Sequence, residues 1–229
     1  MRDQVRIGAL CWLASAEFFF AQLAAHLAWP AHNLFLYDIS LLGISECGVF
    51  LVATSGSTDI VCSPLYLVFN IGIVLHGALI IMGVWFTRSI WPASRMAAWA
   101  LLLMALGGAG AMTVGAFPVD DHMLTHIIGA VIAIAAPGLG FLLLSRSVWT
   151  KMPSLARWSA LVGGLVLLAG LGHALGGLPF GRGTMERLAV WPQTLWYVAV
   201  GTMLLSAEPV RATRAASRRS GRRAGLSAW

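Results

Sequence analysis

Charged residues are scarce in this chain. They make up 10% of its 229 residues against 59% apolar ones, and the mean hydropathy is +0.81. Soluble domains carry roughly 25% charged and 45–50% apolar residues, so this balance excludes a soluble fold. A span needs about 20 mostly apolar residues to cross the hydrocarbon core. The chain therefore holds six or seven helices with short loops and has no room for a soluble catalytic domain. Also lacking are a Walker sequence, a nucleophile elbow and a dinucleotide fingerprint, so ATP-driven, serine-esterase and nicotinamide chemistries have no support. No internal repeat marks two inverted transporter halves.

What is present organises into apolar runs. These lie at about 7–29, 64–86, 96–117, 123–144, 158–178 and 188–207, with a longer mixed loop over 30–63. The fold class expected is an all-α membrane bundle of about six transmembrane helices. The first run follows Arg2 and Arg6 and contains Ala14-Ser15-Ala16, which resembles a cleavage site. Hydrophobicity continues past it unbroken, so the run reads as a retained helix.

Orientation follows from the basic residues, which concentrate in cytoplasmic loops. Arg2 and Arg6, Arg88 and Arg95, then Arg146, Lys151 and Arg157, and finally the C-terminal segment all fall on one side. The loop 30–63 and the turn at Asp120 and Asp121 carry no basic residue. Both termini are expected in the cytoplasm, and a count of five or seven helices would put the basic tail outside. Arg182 and Arg187 stand on the wrong side, partly offset by Glu186. The net charge of +6 owes much to Arg211, Arg214, Arg218, Arg219, Arg222 and Arg223. Residues 208–229 are expected to be a disordered tail that contacts anionic lipid headgroups, worth about 1 kcal/mol per basic residue near the surface. No nucleic-acid partner is needed to explain this charge.

Glycines crowd the third run, at Gly107, Gly108 and Gly110, and the fifth, at Gly163, Gly164, Gly170, Gly172, Gly176 and Gly177. Small residues let helix backbones approach closely in lipid, so these two helices are expected at the centre of the bundle. Of three cysteines, Cys47 and Cys62 flank the loop that faces the oxidising side. A disulfide between them would close about 15 residues and contribute around 3 kcal/mol in the chain-entropy model. The loop would then be an ordered lid, with Val49 to Val52 packing on the bundle or forming a short strand.

Ionisable residues inside a membrane are costly, so those that persist tend to face the interior and mark function. Glu17 and His76 each stand 12 residues from the outer end of their run, roughly 18 Å deep, and can pair. The alternative is that each bonds separately to a carbonyl or hydroxyl. A shallower group comprises His122 and His126, one helical turn apart after Asp120 and Asp121, together with His173. Neutral imidazoles beside carboxylates are what a divalent metal needs, with Asp38 as a further ligand. The absence of Glu after the first His separates the pattern from the zincin motif. Haem needs two histidines facing each other at equal depth; His126 and His173 roughly meet that condition but no second pair does.

The run Tyr37-Asp38-Ile39-Ser40-Leu41-Leu42-Gly43, then Cys62-Ser63-Pro64-Leu65 with Asn70 and Gly77, then Gly115-Ala116-Phe117-Pro118 followed by His126 and Gly129, resembles the DUF998 family of bacterial and archaeal membrane proteins. The resemblance covers about residues 7–207 and implies a multi-helix protein of the cytoplasmic membrane whose function is uncharacterised. The Phe-Pro and His pattern is also similar to the Frag1/DRAM/Sfk1 type of six-helix protein, which implies lipid-related roles. Three functions stay open: a small transporter or membrane accessory protein with inward polar residues, a metal-dependent hydrolase acting on lipid from the outer face, and a lipid-organising protein without catalysis.

Overall fold

The computed structural model describes residues 2–52, 57–177 and 179–224, with side chains described outside 50–59 and up to 206. Six helical segments are long and apolar enough to cross a membrane: Arg2–Ala28, Tyr66–Ile90, Arg95–Ala116, Met123–Val148, Pro153–Ala174 and Arg182–Ser206. The first consists of two helices, α1 (Arg2–Ala14) and α2 (Glu17–Ala28). The others contain α3 (Tyr66–Thr87), α4 (Arg95–Ala116), α5 (Met123–Val148), α6 (Pro153–Ala174) and α7 (Arg182–Ala224). Each span packs on its sequence neighbours and α7 closes the ring on α1. An even number of crossings puts both chain ends at one end of the bundle, here called the basic end; the lid end is opposite.

Several boundaries differ from the hydropathy reading. α5 runs on to Val148 and α6 begins at Pro153, where the ring of Pro153 suits the first helical turn, which has no partner for its N–H. α7 starts at Arg182, six residues before its apolar run, because Arg182 and Arg187 find partners in the fold. Its helical backbone continues to Ala224, past the 207 at which the apolar run stops. Alanine and arginine are good helix formers, which is consistent with this continuation. The side chains of the arginines from Arg211 to Arg223 lie outside the described residues, as does Leu178.

The break in the first span was not apparent from hydropathy. Ser15 Oγ donates to Trp12 O at 2.7 Å, and the backbone passes through i→i−3 bonds from Ala16 N to Leu13 O and from Phe18 N to Ser15 O. A local hydroxyl-to-backbone bond competes with the helix ladder in this way. α5 carries Pro137 in its interior. Proline has no N–H to give to the carbonyl four residues back, and Gln193 Nε2 donates to that carbonyl, Ala133 O, at 3.3 Å.

Glycine allows the closest helix contacts. A Cβ on Gly110 would stand 2.6 Å from Ala133 N and 2.7 Å from Gly129 O, so α4 and α5 touch backbone to backbone. On α6 a Cβ on Gly163 would likewise stand 2.7 Å from Gly138 O of α5, but not every glycine counted there is a packing residue. A Cβ on Gly164 would meet nothing within 4 Å, and Gly176 and Gly177 follow the helix at φ +95° and +81°. They form its C-cap, with Gly177 N donating to Gly172 O at 2.8 Å and Gly176 N to His173 O at 3.0 Å. In a closed ring of six spans no helix is central.

The lid is ordered around the Cys47–Cys62 disulfide, which closes a separation of 15 residues. Within the loop it closes stand the antiparallel strands β1 (Gly48–Val52) and β2 (Ser57–Val61), paired from Gly48 with Val61 to Val52 with Ser57. Before it, a 3-10 helix over Ile39–Gly43 seats Ile39 and Leu42 in the core. Several contacts hold the lid down. Asn70 Nδ2 donates to Gly43 O and Ser63 Oγ to Leu42 O. Asp120 Oδ2 accepts from Ser45 N at 2.8 Å, Ser45 Oγ at 2.9 Å and Glu46 N at 3.0 Å. The Ile39 amide donates to Glu186 on α7.

Candidate functional site

Two cavities meet beneath the lid. The larger, of about 690 Å³, lies between α5 and α6 at the lid end and is bounded by the residues around Asp38 and by the start of α7. Its α5 wall includes His126, Ile127, Ala130, Val131 and Ile134, and its α6 wall Leu167, Gly170, Leu171 and His173. Val131 and Leu171 are 59% and 57% exposed, so the cavity reaches the lipid-facing surface of the bundle. The smaller, of about 50 Å³, extends inward to His76 and Gln193. Ser40, Ala130, Ile134 and Glu186 line both.

The polar end of the larger cavity is built by long-range pairing. Arg182 donates to Asp38 through Nε at 3.2 Å and Nη2 at 2.9 Å. Arg182 Nη2 also stands 3.2 Å from His173 Nε2. A guanidinium has no acceptor, so that ring nitrogen bears the lone pair, and His173 Nδ1–H donates to Arg182 O at 3.3 Å. Asp38 Oδ1 is 3.8 Å from the same Nδ1. Both nitrogens of His173 are therefore engaged. His126 Nδ1–H donates to Phe117 O, freed at the end of α4, at 2.8 Å. The residue lines the larger cavity.

Arg187 is buried beside this cluster, 5% exposed. Its Nη1 donates to Tyr37 O at 3.0 Å and Gly183 O at 2.9 Å, while Nε and Nη2 have no partner among the described residues. Arg182 and Arg187, which the charge rule had left on the wrong side, thus serve to hold the lid segment 37–39 to α7. Those two, with Glu186, Ser40 and Gln193, are site residues that the sequence reading did not single out. The available signal was the pair of arginines that violated the charge pattern next to a glutamate.

The candidate residues from the sequence divide into separate groups. His126, His173 and Asp38 line the larger cavity. Asp120 is occupied with the lid amides, and Asp121 and His122 form an exposed contact of 3.7 Å outside it. No group of three His, Cys, Asp or Glu among the described residues is arranged to hold a metal ion, so the donor set for a divalent cation does not assemble there. With both nitrogens of His173 engaged, the His126 and His173 arrangement that a haem would use is not offered either. Deeper in the bundle, His76 Nδ1 donates to Ser15 O at 3.1 Å, the carbonyl at the break between α1 and α2, and its ring lies tilted against Phe18 with centroids 4.8 Å apart. Glu17 approaches Gly72 with Oε2, and its buried Oε1 has no partner among the described residues. It lines neither cavity.

A family model described as a protein of unknown function, DUF998, matches residues 12–203. The chain belongs to the DUF998 family. No curated protein and no solved structure matches it. In this DUF998 chain the matched region contains four spans whole and most of the first and last, and every residue of the two cavities.

One further histidine supports the site from behind. In this DUF998 lid His32 is 3% exposed, in ring contact with Trp29 and Tyr37. Burial lowers its pKa to about 4, against smaller opposing help from the carbonyl of Asp38. The geometry agrees with a neutral ring. His32 Nε2–H donates to Asp38 O at 3.3 Å, so its Nδ1 is the acceptor facing His26 Nδ1 at 3.2 Å.

Proposed function

We propose that this integral membrane protein is a membrane accessory or small transport protein that takes an amphipathic molecule from the leaflet at the lid end. The observation that carries the reading is the larger cavity. Its volume of about 690 Å³ falls within the range of roughly 300–1,000 Å³ typical of small-molecule sites. Its α5 and α6 walls are apolar and reach the lipid-facing surface, and its far end gathers Asp38, His126, His173, Arg182 and Glu186. A molecule with an acyl chain and a polar end matches that division. The basic loops at the opposite end favour a lid that faces away from the cytoplasm, with both termini inside and the C-terminal arginines against anionic lipid of a bacterial or archaeal cytoplasmic membrane.

The test is native mass spectrometry of the protein released from lipid nanodiscs, comparing wild type with Ala130→Trp and Leu168→Trp. Ala130 lines both cavities, whereas Leu168 is 71% exposed on the outer face of α6. The expected result is one retained amphiphile in wild type and Leu168→Trp, reduced at least severalfold in Ala130→Trp. Equal retention in all three would refute the reading.

A further inference from the structure

A second polar site lies on another face of α7, apart from the two cavities. We propose that Arg187 and Gln22 form an oxyanion site in the crevice between α2 and α7, which takes a phosphate or carboxylate group, carried on a lipid or free.

The crevice follows from the break in the first span. On the basic side of the break α1 packs on α7 backbone to backbone, and a Cβ on Gly201 would stand 2.6 Å from Ala9 O. On the lid side α2 packs on α3 and not closely on α7. Side chains bridge that gap instead. Trp191 Nε1 donates to Gln22 Oε1 at 3.0 Å, and the Trp191 ring stands edge-on to Phe19. Phe19, Gln22 and His26 share one face of α2, and Arg187 and Trp191, one turn apart, share one face of α7. Arg187 Cζ is 6.0 Å from the centre of the Trp191 ring. Glu186, Val190 and Gln193 occupy the adjoining face of α7 and line the smaller cavity, whereas Arg187 lines neither.

Three buried donor atoms at this crevice have no partner among the described residues: Arg187 Nε, Arg187 Nη2 and Gln22 Nε2. Arg187 Nη1 is already held by Tyr37 O and Gly183 O. Nε and Nη2 form the guanidinium edge whose N–H bonds run parallel, which matches two oxygens of a carboxylate or phosphate. Arg182 shows that edge in use, giving Nε and Nη2 to the Asp38 carboxylate at 3.2 and 2.9 Å. Arg187 has no such counterpart. Among the described residues Asp38 pairs with Arg182, Glu186 Oε2 accepts from the Ile39 amide, and no carboxylate forms an ion pair with Arg187. A buried guanidinium without a countercharge is costly, so an anion that supplies one is bound strongly. All three atoms are donors, which suits a group made of acceptors and offers nothing to an ammonium. Leu23 and Leu27 on α2 and Leu188 and Leu195 on α7 are exposed along the rim, apolar surface for the chain of a lipid that carries the group. Only side chains close the crevice, so rotation of Trp191 admits the head group.

The experiment titrates the protein in dodecyl maltoside micelles with inorganic phosphate and, separately, with dodecyl phosphate, and follows the thermal unfolding midpoint. Gln22→Glu carries the test, because Arg187→Gln also loses the lid contacts of Nη1 and can fail to fold. The introduced carboxylate keeps an acceptor for Trp191 Nε1 and supplies Arg187 with a countercharge from within the chain. Wild type is expected to show a saturable rise in midpoint. Gln22→Glu should start from a higher midpoint and need at least about tenfold more probe for half its effect. A response to dodecyl phosphate alone marks a lipid head group as the ligand, and a response to both probes marks a free oxyanion as sufficient; either supports the site. Ala130→Trp, which fills the cavity between α5 and α6, should respond as wild type does. Loss of the response in Ala130→Trp would move the ligand to that cavity and overturn the inference. No response of wild type to either probe, or equal responses of wild type and Gln22→Glu, overturns it as well and leaves the cavity reading to its own test.

Discussion

Breaking the ion pair between Asp38 and Arg182 should uncouple the lid from α7, and a double-variant cycle measures by how much. The two side chains are 17% and 24% exposed and 2.9 Å apart at their closest. At an effective dielectric of about 20, that separation corresponds to a Coulomb attraction of about 6 kcal/mol. Desolvation takes back most of it, and the measured coupling of such partly buried pairs is on the order of 1–3 kcal/mol. Asp38→Asn leaves Arg182 without its countercharge, and Arg182→Gln leaves Asp38 facing only His173 Nδ1 at 3.8 Å. Each single variant should lose about 2 kcal/mol, and the double variant distinctly less than the sum. Reversible unfolding by SDS in mixed micelles supplies the free energies. Additivity within about 0.5 kcal/mol would show that the pair is not coupled and would refute the account of how Arg182 is tolerated at the lid end.

Four further outcomes follow from the same structure. Gly110→Ala should destabilise the bundle by about 1–3 kcal/mol, because its Cβ meets the α5 backbone at 2.6 Å, whereas Gly164→Ala, with nothing within 4 Å, should be neutral or stabilising; a shared large loss in SDS unfolding would contradict the helix contacts. Protonation of His32 is opposed by burial in the folded state, with a pKa of about 4 against an ordinary 6.5. The unfolded chain therefore takes up the proton first on acidification. Stability from this site should be full above about pH 6.5, decline by up to about 3 kcal/mol towards pH 4 and then level off, and His32→Phe should flatten that part of the thermal-stability profile. Replacing Cys47 and Cys62 together by Ser should cost around 3 kcal/mol from the 15-residue loop, and a reductant should do the same to wild type and nothing to the variant. Gln193→Leu removes the donor to Ala133 O opposite Pro137 and should cost about 1–2 kcal/mol, whereas Gln193→Glu, with an ionised carboxylate facing that carbonyl, should cost more.

Membership in DUF998 and the six spans were legible in the chain because both depend on local information. A run of about 20 apolar residues satisfies its own backbone hydrogen bonds as a helix whatever stands beside it. The Cys47–Cys62 link was legible for a related reason: two cysteines close in sequence on one polar loop have few other partners. The interruption at Ser15 and Ala16 was not legible, since the residues on either side remain apolar and the hydropathy does not drop. Nor was the use of Asp120, whose carboxylate looked like a metal ligand beside His122 and His126 and instead holds the amides of Ser45 and Glu46.

The sequence by itself determined that this is a membrane bundle of six helices with a disulfide-linked lid, because hydrophobic length and cysteine placement act over tens of residues or fewer. Tertiary structure decided where the polar residues went. Asp38 meets Arg182 across 144 positions, Ile39 meets Glu186 across 147, and Gln193 meets the Ala133 carbonyl across 60. Such pairings depend on how the ring of helices closes and on which carbonyls Pro137 and the Ser15 break leave free. The cavity between α5 and α6 exists only once that ring has closed.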